Sequence, residues 1–323
     1  MGAVDCLRTD KYPHIFDHYV SGMDSVDLQI VSELDMNSRQ SFAKIARTLG
    51  LTRRTVQRRV GKMVDSGFIR GFEVFFDLSQ LGLADAVCNI RVRSGNSMES
   101  VREKLKGMQE VTEVLTFIGG VLVAQIAYSD REALEDTLRR IGTIDGVADI
   151  DYETGPKTSP SVALTRIDWR LVRSLSHNSR KETVEIAHEL SVSPRTVQRR
   201  LRFLEKKRAL RFGLQVDVSS ADGLFPYLLL VQLQPGISKS KIYDRVRQLM
   251  PRVWRNMKTV NPFVLTLASH AVNLSDLERD SESLRMMPGV RGVSVLFNTS
   301  DLSNDVWLDE AVRHASGPED PSR

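Results

Sequence analysis

The feature that most constrains this chain is a segment that it contains twice. Residues 52–60 read TRRTVQRRV and residues 193–201 read SPRTVQRRL, so the two copies are separated by a constant 141 positions. A gap-free alignment of 26–60 with 167–201 contains fifteen identities in thirty-five positions. Because similarity of this extent does not arise by chance, the sequence predicts one structural unit that occurs twice.

The repeated segment has the pattern of an amphipathic helix. Thr52 and Ser193 suit N-cap positions, and Pro194 suits the first helical position. Apolar residues at i, i+4 and i+7 predict one buried stripe in each copy: Val56, Val60 and Met63, then Val197, Leu201 and Leu204. The opposite face carries Arg53, Arg54, Gln57 and Arg58 in the first copy, and Arg195, Gln198 and Arg199 in the second.

The charges on that face predict binding to an anion. A basic helix face is most often only solvated, but residues 52–64 contain no acidic residue that could neutralise these arginines within the helix. Residues 38–70 hold nine Lys/Arg against one Asp, and residues 180–211 hold ten against four Glu. The whole chain carries only +4, so the positive charge is concentrated on the two repeats. This distribution is typical of phosphate binding.

Two further helices precede the basic helix in each copy. Apolar spacing predicts them near 26–34 and 42–49, and again over 167–175 and 183–190. Gly50 ends the second helix of the first copy, and Ser191 stands at the same position in the other. Two helices, a short turn and a basic helix predict a helix-turn-helix unit, whose last helix enters the major groove of double-stranded DNA.

Composition narrows the remaining classes of protein. Two cysteines, Cys6 and Cys88, are too few for a disulfide framework or a zinc finger. His14 and His18 are assigned to an N-terminal extension rather than to a metal site. No apolar run reaches membrane-spanning length, and residues 1–22 lack the apolar core of a signal peptide. We therefore expect a cytoplasmic protein without membrane contact, metal or cofactor.

A region of a different kind follows each basic helix. An alternating strand is predicted over 69–77 and again over 211–218, and the elements beyond it follow the order βαββαβ of a ferredoxin-like half-barrel. In the second half one of these strands is predicted over 253–260. The predicted organisation is an N-terminal extension (1–22), helix-turn-helix domains (23–70 and 164–211), βαββαβ domains (71–153 and 212–299), a linker (154–163) and an acidic C-terminal tail (300–323) that is disordered apart from a helical stub near 306–312.

With both halves considered, each resembles a whole subunit of the Lrp/AsnC family, the feast/famine regulators, fused head to tail. The first half carries the family's opening D-x-x-D as Asp24 and Asp27, its R-x-S turn as Arg39 with Ser41, and T-V-x-x-R-V over 55–60. The second half keeps Asp168, Arg180, Ile186-Ala187 and 196–201, but has Arg208 in place of the closing Gly67. The resemblance implies an α+β fold with two winged or helix-turn-helix domains and two ferredoxin-like, RAM-type domains that form an intrachain pseudo-dimer.

The same resemblance implies partners other than DNA. In that family the second domain dimerises and often binds an amino acid beside a G-x-Y-D-like turn between its central strands. The corresponding turns here contain Gly119, Gly120 and Asn261, without the aspartate. These three residues are the candidate effector contacts, and self-association through the βαββαβ domains is expected.

The function predicted is that of a sequence-specific transcription regulator that is not an enzyme. A sirohaem-decarboxylase-like enzyme of the same architecture would need histidine, tyrosine and arginine to converge in the βαββαβ units. Of the six histidines only His270 lies there, and we expect it at a strand end near solvent. A low-specificity architectural DNA-binding protein is the other alternative, and the acidic remainder of the chain argues against it.

The predicted interface follows from the helix faces. Arginine suits guanine and glutamine suits adenine, so the predicted base readers are Arg54, Gln57, Arg58, Arg195, Gln198 and Arg199. Arg59 and Arg200 adjoin the buried stripe and are predicted to clamp phosphate or to brace the fold. Thr52, Arg53 and Ser193 complete the predicted DNA-binding set. Strands 69–77 and 211–218 should lie side by side across a pseudo-two-fold axis, and the DNA site should be pseudo-palindromic.

Overall fold

The structure is a computed structural model that describes residues 22–160, 162–221, 223–257, 259–303 and 305–316. The predicted N-terminal extension, with Cys6, His14 and His18, lies outside these residues except for Gly22.

Each half begins with three helices and continues into strands and helices. The first half contains α1 (Ser25–Met36), α2 (Phe42–Leu49), α3 (Arg53–Asp65), β1 (Ile69–Phe76), β2 (Ala84–Val92), α4 (Met98–Lys106), β3 (Val111–Phe117), β4 (Val121–Tyr128), α5 (Arg131–Gly142) and β5 (Val147–Thr154). The second contains α6 (Arg166–Leu175), α7 (Thr183–Leu190), α8 (Pro194–Lys206), β6 (Leu210–Val216), β7 (Phe225–Leu233), α9 (Lys239–Leu249), β8 (Arg255–Met257), β9 (Val264–Ala271), α10 (Leu274–Arg285), β10 (Val290–Leu296), β11 (Asn298–Ser303) and α11 (Asp305–Ser316).

The turn that joins the second and third helices has the same geometry in both copies. Gly50 ends α2 in the left-handed region at φ 67°, and Ser191 ends α7 there at φ 53°. Gly67 and Arg208 form a second such pair after the third helix, at φ 81° and 55°. Left-handed backbone favours glycine, so the second copy keeps the fold at both turns with a residue less suited to that conformation.

Strands β1 and β6 pair as a two-stranded antiparallel ribbon, which confirms the predicted contact between the halves. Glu73 lies opposite Gly213 at its centre. A half-turn about this central pair exchanges two flanking pairs, Phe72–Leu214 and Val74–Phe212. The ribbon therefore lies on the pseudo-two-fold axis.

A β-bulge explains a one-residue difference between the copies. The register shifts between Ile69 and Gly71, which leaves Arg70 as the extra residue. Before the bulge, equivalent residues of the two copies are 141 positions apart. Beyond it they are 140 apart: Asp77 and Asp217 are equivalent, because each caps a short 3-10 helix. Arg70 forms an ion pair with Asp217 across the ribbon.

The two ferredoxin-like domains supply one large sheet each. The strand orders are β11-β3-β4-β2-β5 and β10-β7-β9-β8. Apolar side chains on one face of the first sheet, including Leu115 and Phe117, belong to one buried cluster with Leu228 and Trp254 of the second half. The chain is therefore an α+β protein whose halves form an intrachain pseudo-dimer.

The two helix-turn-helix units are anchored differently. The core of the first unit, including Val60, continues into the core between the large sheets, where Phe68 meets the edge of Trp254 at a centroid distance of 6.5 Å. The second unit has a separate core that also contains Val74 of β1 and Val312 of α11. Only the first unit therefore shares a core with both sheets among the described residues.

Two predictions about the second half are wrong. The strand predicted over 253–260 is reduced to β8, because the Thr259 hydroxyl lies 2.9 Å from the carbonyl oxygens of Asn261 and Val264 and closes the turn early. The helical stub predicted near 306–312 is present as part of α11, but residues 300–303, predicted to be disordered, belong to β11. There β11 pairs antiparallel with β3 of the first half, and α11 packs on α6. Both elements depend on partners far away in sequence.

Among the described residues, no helix combines the length and the apolar character needed to cross a membrane.

Candidate nucleic-acid interface

The third helix of each unit is built as predicted, with one capped end and one buried face. Thr52 accepts a hydrogen bond from the Thr55 amide at 3.1 Å, and Ser193 accepts one from the Thr196 amide at 3.1 Å. The buried residues are those of the predicted stripe: Val56, Val60 and Met63 on α3, and Val197, Leu201 and Leu204 on α8. This packing turns the opposite face of each helix to solvent.

The six predicted base readers all lie on those exposed faces. They are Arg54, Gln57 and Arg58 on α3, and Arg195, Gln198 and Arg199 on α8, with Arg53 exposed beside the first three. Within the described ranges, none of these arginines forms an ion pair with a carboxylate of the chain. Unpaired guanidinium groups that share one face can donate to phosphate oxygens and to guanine edges.

Arg59 and Arg200 point back towards the first helix of their own unit. Arg59 binds Asp24 and Asp27, both at 2.8 Å, and Arg200 binds Asp168 through Nε at 2.8 Å. Burial by itself would raise the pKa of Asp168, but hydrogen bonds from Arg200 and Thr165 outweigh it and hold that pKa below its usual range. Of the two roles predicted for Arg59 and Arg200, clamping phosphate or bracing the fold, these contacts favour bracing.

The second helix of each unit carries charges of opposite sign, which the sequence analysis did not use. Lys44 and Arg47 are exposed on α2, whereas Glu185 and Glu189 are exposed on α7. Lys181 forms ion pairs with both of these glutamates. A comparison of charges at aligned positions of the two copies would have found the difference.

The loops before α2 and α7 meet each other, which the sequence analysis also missed. The hydroxyl oxygens of Ser38 and Ser179 lie 2.6 Å apart, and neither residue is exposed. Arg39 and Arg180 each reach across to the opposite loop. The signal was present in the alignment, because the identical run Asn-Ser-Arg falls between helices and not on the basic face.

The candidate effector residues lie apart from one another. The Gly120 carbonyl accepts a hydrogen bond from the Val92 amide at 2.9 Å, at one end of β2. Asn261 lies 3.4 Å from Glu153, which pairs with Val87 near the other end of that strand. Five residues of strand span about 17 Å. Gly119 and Gly120 therefore do not share a site with Asn261.

His270 is buried, so the expectation that it lies near solvent is wrong. It is 4% exposed in β9, its Nδ1 lies 3.0 Å from the Arg252 carbonyl oxygen, and burial lowers its pKa to about 4. Tyr227 donates to Asp280 at 2.8 Å, and the Arg252 guanidinium binds the same carboxylate at 3.1 Å. The Ser269 hydroxyl lies 3.2 Å from the Tyr227 oxygen. These groups satisfy one another, as in a structural polar network.

Comparisons with known proteins agree with this geometry. A family model described as an AsnC-type helix-turn-helix domain matches residues 23–64 and 164–205. A second model, described as the Lrp/AsnC ligand binding domain, matches residues 85–153. The two helix-turn-helix matches begin 141 positions apart, which is the period of the repeat.

Individual proteins show how the duplication relates to single-unit relatives. An uncharacterized HTH-type transcriptional regulator of Pyrococcus furiosus is 31% identical over 137 residues, which are 41% of this chain and 90% of that protein. The HTH-type transcriptional regulator LrpA of Pyrococcus abyssi is 28% identical over 148 residues, which are 45% of this chain and 99% of the relative. The crystal structure of the siroheme decarboxylase NirDL aligns with 91% of this chain and 100% of its own, at a TM-score of 0.49 and 16% identity. Each regulator thus corresponds to less than half of this chain.

Proposed function

The chain belongs to the Lrp/AsnC family of DNA-binding transcription regulators, and from that premise we propose that its two helix-turn-helix units read the two halves of one pseudo-palindromic DNA site. The observation that carries this proposal is the identity of the exposed faces. Arginine, glutamine and arginine stand at equivalent, solvent-facing positions of α3 and α8, and no carboxylate of the described chain pairs with these arginines.

The proposal assigns separate roles to the residues of each third helix. Arg54, Gln57, Arg58, Arg195, Gln198 and Arg199 contact base edges, where each bidentate pair is worth about 1–3 kcal/mol of discrimination. Thr52, Arg53 and Ser193, at the first turns, contact phosphate and fix the register of each helix on the duplex. Arg59 and Arg200 hold α1 and α6 against these helices and do not contact bases. The half-sites accordingly share their inner bases. They differ at one edge, because Arg53 of the first copy corresponds to Pro194 of the second.

The test is the dependence of affinity on half-site spacing. Selection from a random pool of duplexes should first recover a pseudo-palindrome whose half-site centres are about 10 bp apart or a multiple of that distance. Inserting about 5 bp between the half-sites then turns one of them to the opposite face of the duplex. We expect a sharp loss of affinity at fixed salt. Unchanged affinity would mean that one helix-turn-helix unit does not contact DNA.

We also propose that the chain is not an enzyme. The residue types that a decarboxylase-like site would require are already engaged in the second half. Tyr227 and the Arg252 guanidinium both bind Asp280, and buried His270 lies against the Arg252 carbonyl oxygen. The exposed arginines of both third helices have a use in DNA binding and none in such a reaction. A visible-region absorbance band in the purified protein, or loss of carboxyl groups from an added iron porphyrin, would contradict this proposal.

For a small-molecule effector we favour the first ligand-binding domain. That domain is the one that the ligand-binding family model matches, and Gly119 in its central turn is exposed. The Asn261 side chain is already used, because its oxygen accepts from the Phe263 amide at 2.9 Å. Screening amino acids by thermal shift, with Gly120→Ala as the matched variant, tests this choice. A shift that survives in Gly120→Ala and disappears in Asn261→Ala would reverse it.

A further inference from the structure

Two short loops on the pseudo-two-fold axis form a direct contact between the two helix-turn-helix units. Ser38 and Ser179 are equivalent residues, 141 positions apart, and their hydroxyl oxygens lie 2.6 Å from each other. The Ser38 amide donates to the Phe212 carbonyl at 3.1 Å, and the Ser179 amide donates to the Phe72 carbonyl at 2.6 Å. Equivalent residues that touch one another mark the axis, and here it runs from the ribbon of β1 and β6 into these loops.

One arginine from each unit crosses this axis and binds the backbone of the other unit. Arg39 donates to the carbonyl oxygens of Lys181, at 3.0 Å, and Ser179. Arg180 donates to the carbonyl oxygens of Gln40, at 3.1 Å, and Ser38. A guanidinium group that donates to two carbonyl oxygens fixes both the distance and the direction of the loop that carries them.

Aromatic rings hold the same two guanidinium groups from the other side. The Arg39 guanidinium lies over the Phe212 ring at 5.6 Å, and that of Arg180 lies over the Phe42 ring at 4.4 Å and the Phe72 ring at 5.4 Å. Burial is the largest influence on both arginines and lowers the pKa of each. The two positive charges also lie close enough to oppose each other. Both arginines are half-buried, and Glu182 lies near enough to favour the charged form of each. Chain stability alone still gives little reason to place two like charges side by side.

What this arrangement does fix is the position of the third helices relative to each other. Each loop leads directly into α2 or α7, and the left-handed turn at Gly50 or Ser191 connects that helix to α3 or α8. A displacement of one loop against the other therefore displaces the two DNA-facing helices. The half-sites of a duplex, in turn, present their major grooves at separations set by the helical repeat.

We propose that Arg39 and Arg180 are positioning residues that set the half-site spacing the protein accepts. This inference rests on the proposed two-site DNA binding. Neither arginine needs to contact DNA, since each acts by holding the opposite unit. Without them the two units should adapt to a wider range of spacings.

The experiment compares wild type with the double variant Arg39→Gln, Arg180→Gln on duplexes whose half-sites are moved apart in single base-pair steps at fixed salt. Wild type should show maxima about 10 bp apart. In the variant, the ratio of affinity at the preferred spacing to affinity half a turn away should fall about tenfold. This is about the discrimination that one bidentate base contact supplies. Affinity for a duplex with a single half-site should stay within about twofold, because the exposed faces are unaltered.

Each outcome of this experiment decides something. Equal losses on single and double half-sites would show that the arginines contact DNA or only maintain the fold, and would overturn the inference. An unchanged spacing profile in a folded variant would do the same. If wild type itself shows no periodicity, the proposed two-site binding fails instead. Should the double variant not fold, the single variants each keep one cross-link, and their profiles must then be intermediate for the inference to stand.

Discussion

The two helix-turn-helix units are alike on the exposed face of the third helix and unlike on the second helix. Arg54, Gln57 and Arg58 recur in the second copy, as do the residues of the loops on the axis. The helix before the third one has diverged, with Lys44 and Arg47 in the first unit against Glu185 and Glu189 in the second. A duplicated unit can therefore keep the residues on the exposed face of its third helix while the charge on its second helix changes sign.

This difference predicts that the units contribute unequally to affinity. In a helix-turn-helix unit the helix before the recognition helix crosses the phosphate backbone. We therefore expect α2 to attract the backbone more strongly than α7, whose two glutamates are only partly offset by Lys181. A hydrogen bond from Lys181 is the main reason that the pKa of Glu189 is lowered, and its carboxylate is charged at neutral pH. The first unit should anchor the protein, and the second should add discrimination.

The units also differ in the carboxylates that hold the third helix. Substituting one of these carboxylates is expected to have the largest effect on stability. Among the described residues, Arg200 has one carboxylate partner, the fully buried Asp168, whereas Arg59 has both Asp24 and Asp27. We expect Asp168→Asn to lower the free energy of unfolding by about 3 kcal/mol, the low end for breaking a buried pair, because Arg200 keeps some exposure. Asp27→Asn should cost clearly less. Urea unfolding followed by circular dichroism measures both.

The stability difference between wild type and Asp168→Asn should depend on pH. Because the pKa of Asp168 is lowered in the folded protein, its contribution is fully present above the ordinary value of 3.8 and is lost as the pH falls through the lower, folded value. Wild type and Asp168→Asn should therefore converge in stability in acid. A difference between them that does not shrink as the pH falls below 3.8, or equal losses in the two Asn variants at neutral pH, would contradict this account.

A smaller effect is expected from the charges on the second helices. Replacing Lys44 and Arg47 by alanine should weaken binding about tenfold at physiological salt and reduce the slope of log affinity against log salt by about 2. The matched double variant, Glu185→Ala with Glu189→Ala, should strengthen binding. If the two double variants change affinity in the same direction, the charge on these helices does not act on the DNA backbone.

The smallest effect, about 1 kcal/mol at one base pair, is expected from Gln57→Ala. It should relax the base preference at one position of one half-site and leave affinity for random DNA nearly intact. Gln198→Ala should do the same in the other half-site. Competition assays with single-base variants of the operator measure both. Equal losses on cognate and random DNA would show that these glutamines do not read bases.

Features determined within one segment could be predicted from sequence. The capped ends at Thr52 and Ser193, the buried stripes and the order of elements in the first half depend on spacing along the chain, and they occur as expected. The pairing of β1 with β6 could be predicted because both strands otherwise leave unpaired edges.

Features that depend on distant partners could not be predicted in the same way. Pairing between β11 and β3 joins residues nearly two hundred positions apart. The burial of His270 depends on Arg252 and on α10, neither of which is recognisable as its neighbour in the sequence. Arg39 and Arg180 resemble ordinary loop arginines until the two loops are brought together.

The ribbon of β1 and β6 has a consequence for how this regulator responds to its own abundance. A homodimeric regulator falls apart into single subunits on dilution, so its DNA occupancy changes with the square of subunit concentration when it is scarce. Here both strands of the ribbon belong to one polypeptide, and the second unit is held beside the first at a high effective concentration. Occupancy should then rise in direct proportion to the number of molecules, because each molecule carries both third helices already held beside each other.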